Sequence, residues 1–129
     1  MTRIGDCMKN IILEDTILRD GEQAPGVAFS RANKVRIYEA LRDAGVRWFE
    51  VGIPAMGGEE LDTIKEMLSR ADPDVHLVSW NRGIREDIEQ SLNLGFSTIH
   101  IGFPRPRSIS TIVLAVSREN GSYPQHRIW

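Results

Sequence analysis

A ten-residue pattern occurs twice in this chain of 129 residues, at an offset of 50 residues. Residues 45–54 read GVRWFEVGIP and residues 95–104 read GFSTIHIGFP. Each copy has a glycine typical of a helix C-terminus, a short apolar strand and a proline-containing exit turn. The offset corresponds to two βα units, and a (β/α) barrel repeats in this way, so the pattern strongly restricts the fold.

The remaining hydrophobic periodicity fits the same fold. Strand patterns cover residues 11–14, 48–53, 75–80 and 98–103, and helical patterns cover 30–45, 59–70 and 85–94. Ser30 is a typical N-cap residue for the first helix, and Gly45 and Gly95 are typical C-terminal caps. Alternating strands and helices indicate a parallel sheet. We therefore predict an α/β fold, the N-terminal half of a (β/α)8 barrel truncated after about four strands, because a whole barrel needs ~250 residues.

Side-chain alternation predicts which residues face the inside of the barrel. Phe49 and Val51 point to one face of their strand and Glu50 points to the other. If the apolar pair packs on the helices, Glu50 points inward, and the same argument turns His100 inward. A single inward histidine is more often a hydrogen-bonded core residue than a ligand.

Composition excludes several classes of protein. The net charge of −2 gives no general reason to expect nucleic-acid binding. The single cysteine, Cys7, excludes an intramolecular disulfide and fits a reducing compartment. No segment reaches the ~18 apolar residues of a membrane helix, and the N-terminus shows no signal peptide. We expect a cytoplasmic protein.

The pattern breaks after Pro104. Residues 105–129 contain four arginines against one acid, Glu119, and no amphipathic helix follows the fourth strand. We therefore divide the chain into a tail at 1–9, a half-barrel at 10–104 and an atypical basic tail at 105–129. One hypothesis is that this last segment is out of frame, and the alternative is a genuine disordered basic tail. Half a barrel is also expected to leave the edges of the first and fourth strands open.

A charged motif follows the first strand. Residues 15–26 read DTILRDGEQAPG, directly after the apolar run at 11–13. Charged groups at the C-terminal end of a parallel strand are where α/β folds build their sites. The segment resembles the acetyl-CoA-dependent Claisen-condensing synthases that make isopropylmalate, homocitrate and citramalate. Their pattern is Asp-Thr-Thr-Leu-Arg-Asp-Gly-Glu-Gln, and only Ile17 departs from it.

The resemblance implies a role for each matching residue. Arg19 matches the catalytic and substrate-binding arginine, and Asp20 matches a ligand of a divalent cation (Mg, Mn or Zn). Gln23 lines the same site in the family, and Glu50 matches an active-site glutamate near the arginine. Arg82 aligns with an arginine of several relatives and is expected to bind substrate, and a purely structural role is the alternative. A structural ion pair of Glu50 with Arg19 or Arg82 is compatible with a role in the site.

Two further segments resemble the homocitrate synthases of nitrogen-fixing bacteria. These are residues 52–57 (GIPAMG) and 77–82 (LVSWNR), and Ile84 stands where the lysine-pathway enzymes have a histidine. The resemblance implies condensation of acetyl-CoA with 2-oxoglutarate to homocitrate, for the nitrogenase iron–molybdenum cofactor, by a full-length homodimer. Isopropylmalate or citramalate synthase is the alternative within the family. The family's His-x-His pair of metal ligands is absent, so we expect the 129 residues alone to be inactive. A non-catalytic half-barrel that docks to a partner chain is a third possibility.

Overall fold

The computed structural model describes residues 12–105 and 108–115, with side chains through residue 103. Its strands are β1 (Glu14–Asp15), β2 (Trp48–Gly52), β3 (His76–Arg82), β4 (Thr98–Arg105) and β5 (Ser108–Ala115). Its α-helices are α1 (Arg31–Asp43), α2 (Gly58–Arg70) and α3 (Arg85–Leu94). Short 3-10 turns at Gly21–Gln23 and Pro54–Met56 follow β1 and β2.

The first four strands form a parallel sheet in chain order, β1-β2-β3-β4. One helix connects each strand to the next, and the helices pack on one face of the sheet. The core between the layers includes Tyr38 and Met67 from the helices and Phe49, Val51 and Ile99 from the strands. Strands in chain order with helices on one face are the first half of a (β/α)8 barrel, which confirms the predicted fold class.

The helix ends lie close to their predicted positions. The hydroxyl of Ser30 accepts a hydrogen bond from the Asn33 backbone N–H at 3.3 Å, as an N-cap does. Gly45 and Gly95 each have φ of 101°, the left-handed conformation that ends a helix.

The first strand begins later than predicted. Ile12 and Leu13 precede β1 and are 61% and 80% exposed. The pairing partner explains the difference, because β2 begins at Trp48, which lies opposite Glu14. Earlier residues therefore have no partner strand among the described residues.

The fifth strand was not predicted, and it corrects one expectation. β5 runs antiparallel to β4, with Arg105 opposite Ser108 and Thr98 opposite Ala115. The edge of the fourth strand is therefore covered, and the expectation that it is open was wrong. Only residues 106 and 107 separate the two strands, whereas a parallel connection needs a dozen or more residues. Residues 1–11, including Cys7, and 116–129 lie outside the described part of the chain, and the proposals about the tail and its reading frame stay predictions.

Candidate active site

A tight turn presents Arg19 at the C-terminal end of β1. The backbone N–H groups of Arg19, Asp20 and Gly21 all donate to the carbonyl oxygen of Thr16, at 2.7 to 3.2 Å. Leu18 is fully buried in the core and anchors the turn from below.

Arg19 is paired with a buried carboxylate. Its Nε donates to Oε1 of Glu50, whose side chain is 0% exposed. The other carboxylate oxygen of Glu50 lies 2.6 Å from Nδ1 of His100. Burial of a carboxylate is costly without partners, and here both oxygens have one. Glu50 and His100 therefore face the inner side of the sheet, as their strand parity predicts.

Glu14 belongs to the same cluster, and the sequence analysis missed it. Ligand atoms of Glu14, Glu50 and His100 all lie within 4.8 Å of one another. Oε1 of Glu14 is buried and has no hydrogen-bond partner among the described residues. Burial raises the pKa of Glu14, and the negative charge of Glu50 raises it further. The signal that could have found Glu14 is the alternation of side chains along β1. Combined with the pairing of β1 and β2, this alternation puts Glu14 on the inner face of the sheet.

The predicted metal ligand, Asp20, lies beside the arginine. Its side chain is 62% exposed, and Oδ1 is 3.1 Å from Nη1 of Arg19. The chemistry of this donor fits a divalent cation, since an accessible carboxylate is a hard oxygen ligand. One carboxylate leaves most coordination positions to other groups, and the donor atoms that cluster within 4.8 Å of one another belong to Glu14, Glu50 and His100, not to Asp20.

The other two predicted site residues lie apart from this cluster. Gln23 is exposed at the end of the first 3-10 turn, and no hydrogen bond joins it to the cluster in the described structure. Arg82 makes a bidentate pair with Asp87, with Nε and Nη2 at 2.7 and 2.9 Å from the carboxylate oxygens. Asp87 is nearly buried in the first turn of α3, and the hydrogen bond from Arg82 lowers the pKa of its carboxyl group. In this structure Arg82 ties the end of β3 to the start of α3.

A buried lysine holds the loop that carries Arg19, and this too escaped the sequence analysis. Lys34 on α1 is 3% exposed, and its Nζ lies 2.5 Å from carboxylate oxygens of both Glu22 and Glu60. Glu22 also accepts from the backbone N–H of Phe29, and Glu60 accepts from that of Ile53. The lysine therefore connects the turn after β1, through Glu22, to the first turn of α2, through Glu60.

The HMGL-like family model matches residues 10–122, which is most of the chain. The chain belongs to the HMGL-like family. Within residues 12–105, no helix is long and apolar enough to cross a membrane.

Individual relatives are condensing synthases. The chain is 59% identical over 98 residues to a 2-phosphonomethylmalate synthase of Streptomyces rubellomurinus, covering 75% of this chain and 26% of the relative. It is 48% identical over 90 residues to a homocitrate synthase of Frankia alni, covering 70% and 25%. It is 38% identical over 93 residues to a 2-isopropylmalate synthase of Caldanaerobacter subterraneus, covering 72% and 24%. The chain thus spans about a quarter of the length of the curated relatives it matches.

Proposed function

We propose that the chain supplies the first four strands and the arginine-bearing loop of an acetyl-CoA-dependent Claisen-condensing synthase, an acyltransferase. The observation that carries this proposal is the guanidinium of Arg19, which Glu50 and Asp20 hold at the C-terminal end of β1. In the condensation, acetyl-CoA loses a methyl proton and the enolate attacks the carbonyl of a 2-oxo acid. Negative charge then develops on oxygen, and an anchored arginine stabilises such charge by charge-assisted hydrogen bonds. Glu50 acts in the site by fixing this arginine.

A divalent cation is part of the proposal. Asp20 would hold it. Glu14, Glu50 and His100 form a separate cluster whose carboxylate and imidazole donors are of types that bind such cations. When bound, the cation would polarise the carbonyl group of the 2-oxo acid.

The outer site residues would bind the substrate. Gln23 is exposed on the same loop as Arg19 and is proposed to line the site. Arg82 is 60% exposed on its side chain even while it is paired with Asp87, so its charge is accessible to a substrate carboxylate. This accessibility supports the proposed substrate-binding role of Arg82 alongside its structural one.

Homocitrate synthesis is the proposed reaction. Acetyl-CoA, 2-oxoglutarate and water would give homocitrate and CoA, and homocitrate would serve the nitrogenase iron–molybdenum cofactor. Identity of 48% to the Frankia alni homocitrate synthase supports this assignment. The full-length protein is proposed to be a cytoplasmic homodimer acting on these small molecules.

A second candidate has a specific observation in its favour, the 59% identity to the 2-phosphonomethylmalate synthase. Addition of an acetyl unit to a 2-oxo acid gives a 2-substituted malate, so a phosphonomethyl substituent requires 3-phosphonopyruvate as the acceptor. Both candidate acceptors carry a second acidic group. The acceptors for isopropylmalate and citramalate lack one, and the identity to the 2-isopropylmalate synthase is lower, at 38%, so we rank these two reactions below the others.

A chimeric enzyme tests the proposal. The matching 90-residue segment of the Frankia alni homocitrate synthase is replaced by that of this chain. CoA release is then measured with 2-oxoglutarate, 3-phosphonopyruvate, 2-oxoisovalerate and pyruvate. We expect turnover with 2-oxoglutarate, and a loss of about 100-fold or more in kcat in the Arg19→Lys variant.

The matched control is Arg31→Lys, which changes an exposed arginine paired with Glu66. It should leave turnover unchanged. Equal turnover by the Arg19→Lys variant and its parent would refute the proposed role of Arg19. Preference for 3-phosphonopyruvate, in this chimera and in a parallel one built in the Streptomyces protein, would favour the second candidate.

A further inference from the structure

In each copy of the internal repeat, a glycine lies two positions after the inward-facing residue. Gly52 follows Glu50 in the first copy, and Gly102 follows His100 in the second. A Cβ atom at Gly102 would lie 2.6 Å from Cζ2 and 3.2 Å from Cε2 of the Trp80 ring. Contacts below 3.0 Å are essentially never made by real Cβ atoms. The bare backbone of Gly102 is therefore the surface on which the indole of Trp80 lies.

The indole of Trp80 in turn contacts Arg19. Cζ of Arg19 lies 5.5 Å from the centre of the Trp80 ring, inside the roughly 6 Å limit of cation–π attraction. Trp80 lies opposite His100 in the β3–β4 register, so its side chain shares the inner face of the sheet with the partners of Arg19. The arginine thus has an aromatic ring against its face and a carboxylate, Glu50, against its Nε edge.

We propose that Trp80 is a positioning residue for Arg19 and that Gly102 provides the room for it. The inference rests on the proposed function, in which Arg19 contacts the substrate oxygens. Glu50 engages Nε and Asp20 engages Nη1, and no acceptor among the described residues is paired with Nη2. A planar group held on one face and two edges keeps its remaining N–H donors in a fixed direction. Without the ring, Arg19 keeps its ion pair but is free to pivot about it.

The first experiment measures geometry alone, on the 129-residue chain. Arginine is labelled with ¹⁵N and ¹³C, and the Arg19 side-chain resonances are assigned by NMR spectroscopy. Protons over an aromatic ring are shifted upfield by its ring current, so Trp80→Leu should move the Arg19 signals toward their random-coil positions. Gly102→Ala should do the same by displacing the ring. Adding Trp80→Phe to Gly102→Ala should restore part of the shift, because phenylalanine lacks the outer indole atoms that the new methyl group meets.

Trp48→Leu is the matched control. Trp48 is an indole on the same face of the sheet, but it stacks on His76 at 4.1 Å between ring centres. Its removal should leave the Arg19 signals unchanged. If the Arg19 signals are the same in Trp80→Leu as in the parent, the proposal is wrong, whatever the synthase activity proves to be.

The second experiment measures catalysis, in the homocitrate synthase chimera. Trp80→Leu and Gly102→Ala should each lower kcat by about 3- to 30-fold, the range that corresponds to a partly desolvated cation–π contact. The KM for acetyl-CoA should stay constant, and the Gly102→Ala, Trp80→Phe double variant should recover part of kcat. Unchanged kcat in Trp80→Leu would overturn the positioning role. An inactive unsubstituted chimera would count against the proposed function, while the NMR result would still decide the contact.

Discussion

Replacement of Lys34 by methionine tests the ion-pair network that holds the loop after β1. The Lys34 side chain is 3% exposed, and its Nζ lies 2.5 Å from the carboxylates of Glu22 and Glu60. Methionine preserves most of the aliphatic stem but leaves two carboxylates facing each other without a cation. Removal of one partner from a buried ion pair typically costs about 3–5 kcal/mol. Because Glu22 is 29% exposed, water can solvate one of the two carboxylates, and we expect the lower end, about 3 kcal/mol.

The assay is urea unfolding of the 129-residue chain, followed by far-UV circular dichroism at pH 7. The matched control, Lys65→Met, changes an exposed lysine on α2 and should alter the free energy of unfolding by less than about 0.5 kcal/mol. The double variant Lys34→Met, Glu60→Gln should recover part of the loss, because it removes one of the two facing charges. A Lys34→Met variant as stable as Lys65→Met, at an unchanged m-value, would refute the reasoning.

The effect of Lys34 should also depend on pH. Burial alone would lower the pKa of Lys34, but its hydrogen bonds to Glu22 and Glu60 more than offset burial, and the pKa is raised. A lysine with a raised folded-state pKa stabilises the folded protein fully at any pH below its unfolded-state pKa of ~10.4. This stabilisation is lost as the pH rises through the folded-state pKa. The difference between parent and Lys34→Met should therefore shrink in strongly alkaline buffer, which a pH series of urea titrations measures.

Three further substitutions have defined outcomes. Gly52→Ala should lower the free energy of unfolding, measured by urea titration, by about 1–3 kcal/mol. The φ angle of Gly52 is 151°, and a Cβ atom there would collide with Oε1 of Glu60. An unchanged urea midpoint would contradict this prediction. Glu14→Gln should raise the melting temperature at pH 7 but not near pH 4. Burial and the neighbouring carboxylate of Glu50 raise the pKa of Glu14, so the parent protein loses stability as the pH rises through that pKa. Equal differences between parent and variant at both pH values would argue against this explanation. Asp87→Asn should lower the melting temperature at pH 7, because the hydrogen bond from Arg82 lowers the carboxyl pKa of Asp87. The contribution of a lowered pKa is lost as the pH falls through the folded-state value, so the difference between parent and variant should shrink progressively as the pH falls below 3.8. A difference that is the same below pH 3.8 as at pH 7 would point to a different cause.

The sequence predicts which side chains point to the inner face of the sheet, but not which of them form ion pairs with one another. Alternation along β2 and β4 turns Glu50 and His100 inward, and the structure places them 2.6 Å apart. The same argument cannot say whether Glu50 pairs with Arg19 or Arg82, since both lie toward the C-terminal ends of strands. In the structure Glu50 pairs with Arg19, and the side chain of Arg82 is engaged by Asp87 of the following helix.

The ion pairs of Lys34 with Glu22 and Glu60 could not be predicted from the sequence, because the three residues lie in separate segments of the chain. Lys34 lies one position before Val35 on the buried side of α1, where a lysine is a rare residue that needs a partner. The pattern therefore signals an ion pair without naming its members. Glu22 and Glu60 become its partners only through the packing of α1 against α2 and against the turn after β1.

The antiparallel pairing of β5 with β4 has a consequence for the assembly of a whole barrel. A strand has one hydrogen-bonding edge on each side, and β5 occupies the free side of β4 over eight residue pairs. In a closed barrel that side belongs to a parallel strand, so any such strand must enter by strand exchange, with β5 leaving as it arrives. A hairpin joined by two residues forms from local contacts and so forms early, whereas a parallel strand arrives through a longer connection. Residues 108–115 would then compete with barrel closure for the edge of β4, and closure would require their release.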